Sequence, residues 1–147
     1  MLRKNKSLYI FSFIGNKFTN KGTDKILSIL RYNKTLKKLS LGSKYINSEA
    51  FYNISNYLSF NKSLLILEIK SSKFGNKMLY NLSKIFLNNN TIVNIFLVDN
   101  LLSCEDIIYF GQIINKNKTI NIIKVLFNAQ RSEEPFIKSS NPHLIFN

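Results

Sequence analysis

The apolar positions of the chain recur every 28 residues, which is the separation of Asn5 from Asn33. Each period opens with the pattern Asn-x-Ser/Thr-apolar, and no insertion separates one copy from the next. Seven positions counted from the opening asparagine are apolar in every one of the first four copies. A period of this length is the sequence signature of stacked units that share one continuous core. The opening asparagines are Asn5, Asn33, Asn61, Asn89 and Asn117.

Each period has a strand-like part followed by a helix-like part. In the second copy, the run Leu36-x-x-Leu39-x-Leu41 ends in the alternation that is typical of a strand with one buried face. Ile54, Tyr57 and Leu58 are then spaced as on one face of a helix. The opening asparagine follows the helix, where we expect it to adopt the left-handed conformation that ends many helices.

A helix-capping residue stands between the two parts of each of the first four copies. Serine, threonine, asparagine and glycine are all accepted at the N-cap. Ser103-Cys104-Glu105-Asp106 also resembles a capping box, with aspartate in place of the usual glutamate or glutamine. The predicted N-cap residues are Thr19, Asn47, Gly75 and Ser103.

These patterns predict an α/β fold, a right-handed strand-helix solenoid with about five parallel strands and helices covering one face of the sheet. A single domain, residues 1–147, is expected. Its units are residues 5–32, 33–60, 61–88 and 89–116, followed by a degenerate unit, residues 117–147.

The motif Leu8-x-x-Phe11-x-Phe13-x-x-Asn16-x-Phe18 resembles a leucine-rich repeat of the ribonuclease-inhibitor type, as does the run from Ile92 to Leu102. The resemblance covers about residues 5–128. It implies a strand-helix solenoid that binds partners through its concave sheet and loops. The family's asparagine after the strand is replaced by Lys44 and Ser72, where we expect looser turns.

The two ends of the chain leave alternatives open. After Val125 the apolar pattern is lost, and Asn141-Pro142-His143-Leu144 echoes a repeat opening. The last residues are therefore a sixth strand or cap, or else residues 130–147 fold back over the concave face. The basic, apolar start from Met1 to Ile14 resembles a signal peptide, but its apolar residues are in phase with the later strands. We therefore assign it to the first strand.

Composition changes this picture little. The single cysteine, Cys104, excludes an intramolecular disulfide and favours a reducing, cytoplasmic location. No apolar run is long enough for a transmembrane segment. The seven Asn-x-Ser/Thr sequons include the five repeat openings, so we interpret them as turns rather than as glycosylation sites. The asparagines and lysines also belong to the amino acids that A/T-rich codons favour.

The net charge of +13 belongs wholly to residues 1–88. Four lysines share one repeat position and would form a ridge with steps of about 5 Å. This basic edge suggests an alternative function, binding of RNA or of an anionic surface, although a solvated rim would give the same pattern. The four residues are Lys6, Lys34, Lys62 and Lys118.

The strand residues that face away from the helices should line a concave surface. Several are large and apolar although no helix should cover them, and charged residues surround them. Such a cluster predicts a protein-binding site. The candidate residues are Ile66, Glu68 and Lys70; Asn94, Phe96 and Val98; and Ile122, Lys124 and Leu126.

Catalysis has little support in the sequence. His143 is the only histidine, Cys104 has no histidine in its own unit, and no metal-binding or phosphate-loop spacing occurs. We therefore expect a non-catalytic protein with a protein partner, no cofactor, no metal and no small-molecule substrate. A small-GTPase regulator is a further alternative, by analogy with Ran GTPase activators, but no residue here can be matched to that activity.

Overall fold

The computed structural model describes residues 2–72, 75–126 and 144–146. Strands and helices alternate along the chain as the repeat predicts. The strands are β1 (Ile10–Ser12), β2 (Lys38–Leu41), β3 (Ile66–Lys70), β4 (Asn94–Val98), β5 (Ile122–Leu126) and β6 (Leu144–Phe146). The α-helices are α1 (Asn20–Leu27), α2 (Ile54–Phe60), α3 (Asn76–Asn88) and α4 (Cys104–Ile114), and short 3₁₀ helices span Leu2–Lys4, Ser28–Arg31 and Ser48–Phe51.

All six described strands form one parallel sheet in the order β1-β2-β3-β4-β5-β6. The first five pair in steps of one repeat period, so that Leu39 lies between Phe11 and Leu67. The predicted α/β solenoid of parallel strands and helices is therefore confirmed. β6 follows a shorter step, with Leu144 beside Ile123, and extends the sheet edge. Of the alternative that residues 130–147 fold back over the concave face, residues 130–143 and 147 lie outside the described residues, and residues 144–146 form β6 beside β5.

Alternate residues of β3, β4 and β5 are buried, as the period of two predicts. Their inward side chains form rows across the sheet. In one such row, Leu39, Leu67 and Ile95 are each at most 1% exposed, and they pack in one cluster with helix residues such as Leu58 and Phe86. The core is therefore continuous from unit to unit.

The four predicted N-cap residues begin helices in the structure. The hydroxyl of Thr19 accepts a hydrogen bond from the backbone N–H of Gly22. Ser103 accepts one from the N–H of Asp106, and it donates its own hydroxyl proton to the Asp106 carboxylate. The second unit has two short helices instead of one, and Asn47 caps the first, a 3₁₀ helix that precedes α2.

The prediction that the opening asparagines are left-handed is wrong. Asn61 and Asn89 have extended backbones, with φ −78°, ψ 127° and φ −84°, ψ 123°. The reason is a different hydrogen-bonding task. The Oδ1 of Asn89 accepts from the N–H groups of Thr91 and Ile92, and its Nδ2 donates to the carbonyls of Leu58 and Asn61 in the preceding unit.

The same arrangement recurs along the turns, and we call it the asparagine ladder. It comprises Asn5, Asn33, Asn61, Asn89 and Asn117. From Asn33 onward, each amide donates to the carbonyl of the asparagine 28 residues earlier. The ladder therefore joins each unit to the one before it.

The expectation of a loose turn at Ser72 is also wrong. The Ser72 hydroxyl accepts from the N–H of Ser43 at 3.3 Å and donates to the carbonyl of Lys70 at 3.0 Å. Asn100, one unit later, accepts from the N–H of Ser72 at 3.3 Å. A serine can thus make part of the same link as an asparagine.

Candidate functional site

The nine candidate residues form three rows on the sheet face opposite the helix layer, which we call the open sheet face. All nine are half-buried. Strand pairing fixes the rows because equivalent residues lie side by side in neighbouring parallel strands. The rows are Ile66-Asn94-Ile122, Glu68-Phe96-Lys124 and Lys70-Val98-Leu126.

Four of the five apolar candidates lie on β4 and β5, and the fifth, Ile66, lies on β3. Val98 lies directly opposite Leu126, and Ile122 lies beside Asn94. Phe96 is in the middle row, between Glu68 on one side and Lys124 on the other. The structure therefore brings the four apolar residues of β4 and β5 onto one patch and places a charged residue on each side of Phe96.

A compact charged cluster adjoins Phe96. The Glu68 carboxylate lies 3.3 Å from the Lys38 ammonium and 2.7 Å from that of Lys70. It also accepts a hydrogen bond of 2.8 Å from the Ser40 hydroxyl. Burial of Glu68 disfavours its charged form, but the hydrogen bonds from Lys70 and Ser40 and the charges of Lys70 and Lys38 outweigh burial and hold the pKa of Glu68 below its ordinary value.

Alternation predicts that every second residue of β2 and its continuation is exposed on this face, but two of these residues are buried. Ser40 is 2% exposed and Gly42 is also buried. Glu68 contacts the small side chain of Ser40, and a Cβ at position 42 would lie 2.3 Å from the carbonyl oxygen of Lys70. The open surface is therefore interrupted at Ser40 and Gly42, whereas Lys38 is half-buried and Ile10 and Ser12 of β1 are exposed.

The four lysines of the predicted basic edge lie in the turns that precede the strands, and all four are exposed. Lys62 makes a long contact of 3.5 Å with the side-chain oxygen of Asn90, the residue at its own repeat position one unit later. In the described part of the chain, ion pairs involve only Lys38, Lys70 and Glu68. The edge lysines therefore carry no internal countercharge there.

A stack of cations and aromatic rings that the repeat pattern did not predict lies in the first two units. The Arg3 guanidinium lies 3.9 Å from the ring centre of Tyr32. Arg31 lies 5.8 Å from Tyr32 and 5.1 Å from Phe60. The available signal was the spacing of one repeat period between Tyr32 and Phe60, at a position outside the core phases.

The remaining chemical candidates contribute little to a site. Cys104 begins α4, and His143 lies outside the described residues. No group of three or more His, Cys, Asp or Glu residues suited to hold a metal occurs among the residues that the structure describes. Within the described ranges, no helix has both the length and the apolar character needed to cross a membrane.

No family model matches the sequence, and no curated protein matches it. Among solved structures, the fold is similar to that of leiomodin-1 actin-binding site 2, with a TM-score of 0.78 at 16% identity, covering 85% of this chain and 74% of that chain. It is also similar to the tropomodulin C-terminal domain from Caenorhabditis elegans, with a TM-score of 0.74 at 14% identity, covering 90% of this chain and 80% of that chain. The chain therefore has a leucine-rich-repeat-type fold with a parallel sheet.

Proposed function

We propose that the chain is a non-catalytic protein-binding module with ribonuclease-inhibitor-type repeats that binds its partner through the concave, open sheet face. The observation that carries the proposal is the half-exposed apolar patch around Phe96 on β4 and β5. Large apolar side chains on a sheet face opposite the helices are a feature of binding surfaces, because a partner would bury them.

The composition of the patch favours a protein partner. Aromatic residues dominate the energetic centres of protein interfaces, and surrounding polar groups keep water out. Phe96 has this position, since Glu68 and Lys124 flank it. Glu68 is already paired with two lysines, so its charge requires no small ionic ligand.

The size of the patch limits what it contributes. Three strands and five residues per strand give dimensions of about 10 Å by 13 Å. A standard interface buries about 800 Å² on each partner. The nine residues therefore act as the centre of a larger contact, to which the loops at the strand ends would add.

Actin is the first defined partner to test. The structural neighbour leiomodin-1 actin-binding site 2 binds actin by its name, and its fold covers most of this chain. Co-sedimentation of the purified chain with actin filaments tests this partner directly. Binding that depends on Phe96 would identify the ligand, whereas a failure to sediment would remove actin and leave the surface to be tested with other proteins.

The surface itself is tested with Phe96→Asp in an affinity pull-down from cell extract. We expect an aspartate beside Glu68 to weaken the captured partner at least about ten-fold. The matched control is Tyr109→Asp on α4, because Tyr109 is 51% exposed and lies outside the open sheet face. A partner lost by both variants, or retained by Phe96→Asp, would contradict the proposal.

Salt separates this function from charge-driven binding. An apolar contact should survive 0.5 M salt, while binding that rests on lysine-phosphate contacts falls steeply. We also propose a cytoplasmic location, because the single cysteine suits a reducing compartment.

A further inference from the structure

The turns between the helices and the next strands form one side of the solenoid that carries no carboxylate. We call the five segments 2–9, 28–37, 56–65, 84–93 and 112–121 the turn edge. They contain no Asp or Glu, and every basic residue in them is exposed. These residues are Arg3, Lys4, Lys6, Arg31, Lys34, Lys37, Lys62, Lys84, Lys116 and Lys118.

The opposite side, where strands lead into helices, has a mixed charge. Glu49, Asp99, Glu105 and Asp106 lie there together with lysines such as Lys17. The cationic field is therefore concentrated on the turn edge, and a polyanion approaching the molecule would be attracted to that side.

The basic side chains of the turn edge are not needed to hold the turns. The carbonyls of Asn33 and Asn61 already accept hydrogen bonds from asparagine amides of the ladder and from Ser63 and Thr91 hydroxyls. Apart from the long contact between Lys62 and Asn90, no hydrogen bond of a lysine side chain is found among the described turn-edge residues. Their charges are thus available to a ligand.

Planar groups accompany these charges in the first two units. Arg31 lies between the rings of Tyr32 and Phe60, and Arg3 covers a face of Tyr32. Tyr32 is 47% exposed and Phe60 is 62% exposed, so much of each ring faces solvent. Aromatic rings and guanidinium planes are the groups on which unpaired bases stack.

We propose that the turn edge binds single-stranded nucleic acid, with phosphates along Lys34 and Lys62 and bases stacked on Tyr32 and Phe60. The lysines repeat in steps of about 5 Å along the sheet, which gives a row of charges for a sugar-phosphate backbone. An anionic membrane or a polyphosphate would meet the same charges but has no base to stack. The exposed rings therefore favour nucleic acid, and the inference does not depend on the open sheet face.

The charge contribution is tested by fluorescence anisotropy with a labelled 12-nucleotide RNA over a range of salt concentrations. Each phosphate contact on a single strand contributes about −0.7 to the slope of log affinity against log salt. The double variant Lys34→Gln/Lys62→Gln should therefore make the slope shallower by about 1.4. Lys17→Gln/Lys21→Gln is the matched control, since both lysines are exposed near the start of α1. Equal slopes for the two variants, or no binding at low salt, would overturn the proposal.

The stacking contribution is tested with Tyr32→Leu/Phe60→Leu, which keeps every charge. RNA affinity should fall at least about thirty-fold, while binding of inorganic polyphosphate, used as a competitor without bases, should be unchanged. An equal loss for both ligands, or a preference for anionic vesicles over RNA, would show that the edge recognises charge alone and would refute the assignment. Arg31→Lys is a second test, because this variant retains both rings and the positive charge. We expect it to weaken RNA binding by loss of the guanidinium plane, and unchanged RNA affinity would count against stacking.

Discussion

Replacing Asn61 with alanine removes four hydrogen bonds to the backbone, and a fifth of 3.4 Å from the Ser63 hydroxyl, at a residue that is 2% exposed. The Asn61 Oδ1 accepts from the N–H groups of Ser63 and Leu64 at 3.0 and 2.7 Å. Its Nδ2 donates to the carbonyls of Leu30 and Asn33 at 2.7 and 3.1 Å. The variant therefore leaves two backbone donors and two acceptors without this partner, in a place where water has little access.

A buried polar group that loses its partner costs about 1–3 kcal/mol. Relaxation and the remaining Ser63 hydroxyl bond to Asn33 reduce the total, so we expect Asn61→Ala to lower the free energy of unfolding by about 3–5 kcal/mol. Urea titration followed by circular dichroism measures this change, with the midpoint and slope fitted together. The loss is a large part of the stability of a typical domain, and partial unfolding at room temperature would agree with it.

Two other asparagines calibrate the result. Asn90→Ala changes an exposed residue of the next turn and should cost less than about 0.5 kcal/mol. Among the described residues, Asn5→Ala removes only the bonds that Asn5 Oδ1 accepts from the N–H groups of Ser7 and Leu8, so its cost should fall between the two. A cost for Asn61→Ala below about 1 kcal/mol, or equal to that of Asn90→Ala, would refute the idea that the ladder joins the units.

Two further predictions concern β2 and β3. Gly42→Ala should destabilise the fold by about 1–3 kcal/mol, because its Cβ would lie 2.3 Å from the Lys70 carbonyl oxygen. Gly22→Ala in α1 would have no contact closer than 3.6 Å and should stabilise the fold slightly. Thermal unfolding measures both changes, and a change of the same sign for both would contradict this argument. Glu68→Gln should cost about 1 kcal/mol at pH 7 through the lost pairs with Lys38 and Lys70. Because the folded-state pKa of Glu68 is lowered, this stabilisation is present above the ordinary glutamate pKa and is lost as pH falls through the folded-state pKa. Unfolding titrations should therefore show that the difference in unfolding free energy between wild type and variant disappears in acid. A difference that persists in acid would contradict the ion-pair origin.

Much of the fold follows from the sequence because a constant repeat period determines which strands are neighbours. Once Leu39, Leu67 and Ile95 occupy the same phase, parallel pairing places them side by side, and alternation decides which residues face the helices. The helix starts can also be predicted from the sequence, since Thr19 and Ser103 cap their helices through hydrogen bonds to residues three positions later.

Other features depend on distances between units, which residue type and spacing do not give. The amide of Asn89 reaches back to Leu58 and Asn61, and this requires an extended backbone instead of the left-handed one that asparagine also tolerates. The burial of Ser40 depends likewise on a longer neighbour, Glu68, that contacts it. The open sheet face could therefore be located by alternation, while its extent required the structure.

The two proposed surfaces follow from how the units are held together. The asparagine ladder and the buried rows fix the turn backbone and the core, and Lys34 and Lys62 on the turn edge and Phe96 on the open sheet face lie outside that framework. Their side chains can thus be exchanged with little effect on folding. Binding at Phe96 should tolerate salt, whereas binding along the lysines should not. If one substitution abolishes both partner binding and RNA binding, a single surface would explain both, and the assignment of two separate sites would be wrong.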